Sequence, residues 1–311
     1  MQNESVKVKS TKSNTLKMKN YLLSTIVCLF IGSLTSSAQK PELLENGNYE
    51  IKLGDVTMTI DAQKGGKITS FRYNDIEMIS QSRFPNSNGS TFWTSPQSEW
   101  HWPPVPEYDS KPFEAQVISN ALILTGQKTE KFGYRIKKKI TTKKKDKAFV
   151  ITYTIVNESD QVKQVAPWEI TRTPNGGFLF FEADKATAGY GKEPIDFEYS
   201  LNAAWFAVDA SRAQRKGNAD GTGWIGFLDR GLLFVKSFQD LKEGEPAPGE
   251  DEIQIYVHNG KSYIEIEEQG ASVTLQPGEE VSWTVKWYLV PCDLPAEPSE
   301  SLLKKVRKTI K

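Results

Sequence analysis

Cysteine and histidine are both scarce in this 311-residue chain, which has two of each. Cys28 sits inside an apolar leader-like run, so the chain beyond it holds Cys292 alone and no internal disulfide is available. His101 and His258 are far apart in sequence. With one thiol beside them they make no credible zinc site, and neither a metal nor a cofactor is expected. An excess of one charge is missing too: 39 basic side chains balance 39 acidic ones, which gives no ground to expect nucleic acid or an anionic membrane as partner. No Gly-x-Ser-x-Gly elbow, phosphate loop or dinucleotide fingerprint occurs. Repeats of fixed period and internal Pro/Gly-rich linkers are lacking as well, so nothing cuts the chain internally.

Long hydrophobic runs are confined to "YLLSTIVCLFIGSL" at 21–34, which is too short for a convincing membrane span. Lys17 and Lys19 precede it, and "TSSAQ" follows with Ser36 and Ala38 in the small-residue positions of a cleavage site. This pattern predicts a secretory signal peptide over 1–38, export to the periplasm or medium, and no integral membrane segment after cleavage. Met18 is a second candidate start, and bulky Val27 argues against lipid attachment at Cys28.

What the chain does have is aromatic side chains, at 11%, and short alternating runs separated by Gly, Asn and Asp turns. Strands are expected near 134–142, 148–156 and 162–171, with hairpins turning at Ser119-Asn120 and Asp229-Arg230-Gly231. The pattern predicts an all-β domain over 39–295, a large antiparallel sandwich with very little helix. A short amphipathic tail helix is expected within 296–311, capped by Ser299 or Ser301. The lysine-rich stretch 137–147 reads as a solvated hairpin, and the acidic "KEGEPAPGEDE" (242–252) as an exposed loop able to lie over a cleft. "NADGTGW" (218–224) carries oxygen side chains at alternate positions but lacks the distant glutamate of a calcium loop, and is read as a turn.

The densest aromatic stretch is "TFWTSPQSEWHWPP" at 91–104. Its tryptophans follow no single period, and Pro103 and Pro104 stop the segment from continuing as a central strand. Sugar rings present flat C–H patches that stack on indole, while Glu, Gln, His and Arg bond their hydroxyls. Trp93, Gln97, Glu99, Trp100, His101 and Trp102 supply both kinds of contact, with packing the competing role for at least one indole. Arg172 in "EITRTPNGG" and Trp205 in "NAAWFAV" are lesser candidates for the same wall.

Three segments carry a resemblance: "GGKITSFRYNDIEMI", "VITYTIVNESDQVKQVAPWEIT" and "YIEIEEQGASVTLQPGEEVSWTVKWYLV". In their order and spacing they resemble the first, central and last strands of galactose mutarotase-like (aldose 1-epimerase-like) proteins, over roughly residues 45–291. The chain looks most like an uncharacterised bacterial branch of that superfamily. The resemblance implies a β-supersandwich with a sugar site on the concave face of one sheet, and a carbohydrate as partner. It also implies a glutamate base followed two residues later by glutamine, a pattern that Glu267-Glu268-Gln269 matches. Along "YIEIE", Ile264 and Ile266 fall on one face while Tyr263, Glu265 and Glu267 fall on the other, so Glu265 joins the candidates. The acid of such enzymes is a histidine, and neither of the usual histidine motifs is present. The central one falls at Trp168 or Glu169, leaving Glu169, His101 and His258 as candidate acids. Three functions stay open: an exported sugar-binding protein without catalysis, an aldose epimerase or related isomerase using Glu267, and a carbohydrate-cleaving enzyme using two of Glu99, Glu169 and Glu267.

Overall fold

Alternation along the chain translates directly into strand faces. In the strand Tyr134–Lys143, Tyr134, Ile136 and Ile140 are buried while Lys139 and Lys143 face water. Its hairpin partner is Ala148–Asn157, and Lys163–Thr173 follows, close to the strand positions expected from sequence. The turn Asp229-Arg230-Gly231 joins strands Trp224–Asp229 and Leu232–Ser237. A computed structural model describes residues 40–311 apart from 84–86, 189–191, 210–213 and 259–261; the expected leader at 1–38 lies outside the described residues.

The strands form two antiparallel sheets, one of 12 strands and one of 10. Their facing sides share the main core. Phe71 of the larger sheet meets Phe149 and Trp287 of the smaller edge-on, with ring centroids 5.4 and 5.1 Å apart. Phe92 stacks on Tyr153 across the same gap at 4.2 Å. Each ring buried this way stabilises the sandwich by about 1.5–3 kcal/mol. A second cluster lies on the outer side of the smaller sheet, where Leu302, Leu303 and Val306 of the helix Glu300–Thr309 cover Phe178, Phe180 and Trp205. Ser299 caps that helix, its hydroxyl accepting from the Leu302 amide at 3.3 Å. Among the described residues no helix is long and apolar enough to cross a membrane.

Two details depart from the sequence reading. Ser90–Ser95 is a strand paired along its whole length with 163–173 and, at Ser90 alone, with 67–73, so Trp93 is a sheet residue and not part of a loop. The prolines act only later, after the short helical turn Gln97–Glu99. Lys138 is also not solvated with the rest of its stretch. It points into the sandwich and donates to the carbonyls of Gly65 and Gly66 at 2.7 and 3.1 Å, and burial pulls its ammonium down to about 7. The turn it grips needs glycine: Gly65 has φ +65°, and a Cβ there would meet the Asp109 carbonyl at 2.4 Å.

Candidate functional site

Register decides which side chains meet on the outer face of the larger sheet. Its central strands run in the order 90–95, 163–173, 264–269, 253–257 and 215–219. Trp93 pairs with Trp168, and Trp168 with Gln269. One step along, Ile170 pairs with Glu267 and Glu267 with Gln254, whose other neighbour is Asn218. The next row runs Arg172, Glu265, Tyr256, Lys216. Because the side-chain period of a strand is two, these rows share one face, and Ile264 and Ile266 enter the core from the other.

Over that face lies a cleft of about 960 Å³. Trp93 and Trp168 wall one side, with Gln97, His101 and Trp102 above them. Glu265, Glu267 and Tyr263 come from the acidic strand, and Gln254, Tyr256 and His258 from its neighbour. Pro248, Gly249 and Glu250 of the acidic loop complete the rim. That loop is tied to the tryptophan segment through Glu250, which accepts from the Gln97 amide at 3.1 Å and from the Gln254 side chain at 2.7 Å.

Glu267 is the most perturbed carboxyl facing the cleft. Burial pushes it up to about 7, against the pull of Lys216 and with a further push from Glu265 and Glu250. The Trp168 indole N–H donates to its Oε2 at 3.0 Å, and the Lys216 ammonium lies 3.9 Å from the same oxygen. Glu265 is paired with Arg172 Nε at 2.9 Å. The Arg172 guanidinium in turn lies over Trp93 and Tyr263, 5.7 and 5.9 Å from their ring centroids. His258 stacks on Tyr263 at 4.6 Å, and burial draws its imidazole down from its ordinary value.

Not every residue expected at the cleft lines it. Trp100 is buried behind the wall, donating to the Thr94 carbonyl at 2.9 Å and packing edge-on against Trp93. Glu99 lies beside Tyr134 and Lys163, and burial raises its carboxyl. Arg172 supports the floor through Glu265. Trp205 is on the other sheet altogether, stacked on Phe178 and Phe180 at 5.8 and 5.1 Å, so it does not line this cleft. Trp102, by contrast, stands 67% exposed at the mouth.

Glu169 is the largest correction. It has the opposite parity from Trp168 and points between the sheets. There the Lys236 ammonium, brought across by the smaller sheet, lies 2.7 Å from Glu169 and 2.5 Å from Glu268. Trp287 donates its indole N–H to Glu169 at 3.0 Å, and Lys236 also donates to Thr171 at 2.8 Å. Burial drives Glu268 well above the usual carboxylate range. For Glu169 burial is outweighed by Lys236 and by hydrogen bonds from Glu268 and Tyr153, which hold it below that range. Lys236 thus holds both carboxyls in the core, and Glu169 is unavailable as an acid at the cleft. With Glu99 turned elsewhere as well, the carboxyl pairs expected for glycoside cleavage do not flank the cleft.

Lys216, Asn218, Gln254 and Tyr256 were not among the candidates. The signal was present: "IQIYV" alternates as "YIEIE" does, putting Gln254 and Tyr256 opposite three apolar residues. Of the "NADGTGW" segment, Asn218 lines the cleft, and Gly221 donates its amide to Glu252 at 2.8 Å. Among the described residues no group of three or more His, Cys, Asp or Glu is able to hold a metal ion.

No protein-family model matches the sequence, and no curated protein matches it either. Solved structures do match. A galactose mutarotase-like protein from Lactobacillus casei superimposes with a TM-score of 0.58 at 13% identity, over 78% of this chain and 100% of that one. A galactose mutarotase related enzyme from Lactobacillus acidophilus gives 0.56 at 12%, over 79% and 98%. A GalM/aldose epimerase homologue from C. elegans gives 0.55 at 10%, over 79% and 99%. At such identities the likeness speaks for architecture, and the chain has the galactose mutarotase-like β-sandwich fold.

Proposed function

We propose that this is an exported carbohydrate-binding protein that takes a sugar in the cleft between the tryptophan segment and the acidic strand. The observation that carries the reading is the convergence of Trp93, Trp102 and Trp168 with Gln97, Gln254, Glu265 and Glu267 around one opening. Indole faces stack on the C–H patches of a pyranose, and the amides and carboxyls fix its hydroxyls. Export rests on the leader pattern at 17–38. Titration of the protein with a panel of aldoses, followed by tryptophan fluorescence, tests it. Saturable binding that weakens at least about fivefold in Trp102→Ala is the expected result. A panel in which no sugar binds would remove the reading.

One observation favours a second, catalytic reading: the carboxyl of Glu267 faces the cleft with its proton affinity pushed to about 7. A base near neutrality is suited to take the proton from an anomeric hydroxyl. The electron pair left on that oxygen forms the open-chain carbonyl as the C1–ring-oxygen bond breaks, and the ring oxygen takes a proton. Reclosure on the other face of C1 returns the alternative anomer, with no net change in protons. His258 and His101 are the imidazoles at the cleft that fit the acid role. Anomer exchange followed by NMR is expected to be faster with the protein than in buffer, and to lose about 100-fold or more in Glu267→Gln. Exchange at the buffer rate for every sugar would leave binding alone.

A further inference from the structure

The charges facing the cleft are not equally occupied. Each carboxylate has partners. Glu250 accepts from Gln97, Gln254 and Gln269. Glu265 is paired with Arg172. Glu267 accepts from Trp168, and burial favours its neutral form. The cations are held more loosely. Lys216 Nζ lies over the Trp168 indole, 5.6 Å from the ring centroid, and its nearest carboxylate contact is the 3.9 Å approach to Glu267, beyond hydrogen-bond length. Among the described residues no hydrogen-bond acceptor is in place for that ammonium. Lys192, on the same lining, spends one N–H on the neutral amide oxygen of Gln214 at 2.9 Å and has two more. An ammonium lying over the indole that also forms the sugar-stacking wall is a donor set without an acceptor.

Resting on the carbohydrate reading of this site, we propose that the sugar it takes bears an anionic group, a carboxylate or a sulfate ester, received by Lys216 with Lys192 beside it. The ring stacks on the indoles, the anion gives Lys216 a hydrogen-bond acceptor within reach, and exposed Lys192 adds a second positive charge. Neutral sugars cover Lys216 without offering it an anionic acceptor at hydrogen-bond length, which costs affinity. The chemistry of the anion is shared by uronic acids and sulfated hexoses, and the two differ in geometry and charge spread.

The test is a fluorescence titration of the protein with D-galacturonate, D-glucuronate and D-galactose 6-sulfate, each against its neutral parent, at low and high salt. The anionic sugars are expected to bind at least about tenfold more tightly than the parents at low salt, in keeping with a charge-assisted hydrogen bond. That advantage should shrink in 1 M salt, fall to little or nothing in Lys216→Met, fall partly in Lys192→Met, and survive in Lys216→Arg. A uronate advantage without a sulfate one names a carboxylate ligand, and the reverse a sulfated one. Neutral sugars binding as tightly as anionic ones would overturn the proposal while leaving the carbohydrate reading intact. Binding of neither class would remove both. The wild-type comparison decides these outcomes alone should a variant fail to fold. A tenfold preference that persists when both lysines are methionine would also overturn the assignment to Lys216 and Lys192.

Discussion

Glu267 and Glu268 are adjacent in the chain and identical in chemistry, yet the sheet sends them to opposite sides. Glu267 faces the cleft, its carboxyl held by one indole N–H and approached by Lys216. Glu268 faces the core, locked with Glu169 onto a lysine that shows no exposed side-chain surface. Both carboxyls are raised, with burial the largest cause in each case. What separates them is connection. The core group touches strands of both sheets and joins the two layers, whereas the cleft group borders an opening. Perturbed acidity alone therefore does not single out a candidate site here; perturbed acidity at an opening does.

The largest loss of stability is expected in the core. Lys236→Met leaves the buried Glu169 carboxylate without its countercharge, so urea unfolding should show a loss of about 3–5 kcal/mol. Glu267→Gln keeps an acceptor for Trp168 and is expected to change stability by no more than about 1 kcal/mol at pH 5. Equal losses in the two variants would mean that both faces are structural.

A smaller effect separates the faces by pH. The Glu267 value is raised from 4.5 in a free carboxyl to about 7 in the fold, so the folded form holds that proton more tightly. Its contribution to stability is complete below about 4.5 and is lost as pH rises through about 7. Wild-type stability relative to Glu267→Gln should thus decline by about 1–3 kcal/mol between pH 4.5 and 8, read from paired melting curves. Parallel curves would contradict the raised value. The smallest change in stability belongs to Trp102→Ala, within about 0.5 kcal/mol because the ring is 67% exposed, with sugar affinity falling all the same.

The strand pattern was legible because burial on one face writes itself into alternation, as in "YIEIE" and the hairpin at 134–157. The helix at the C-terminus was legible from its capping serine and apolar stripe. Side-chain parity made Glu265 and Glu267 readable as one face. The role of Glu169 was not legible, since alternation places it opposite Trp168 but says nothing of a lysine arriving from the facing sheet. Trp205 misled for a related reason: an indole in an apolar run serves a second core as readily as a wall, and only the packing of the C-terminal helix distinguishes them. Lys216 and Gln254 reach the cleft through pairings between distant segments, and a single strand does not reveal its neighbours.

The two regions carry their own reporters, because indole N–H groups lie in both. Two-dimensional NMR of the ¹⁵N-labelled protein, titrated with the tightest-binding sugar of the panel, resolves them one by one. The indole signals of Trp93, Trp102 and Trp168 are expected to move on saturation, while those of Trp205, Trp224 and Trp287 stay in place. Movement confined to Trp205 and its neighbours, or binding that leaves the Trp168 signal unchanged, would contradict that expectation.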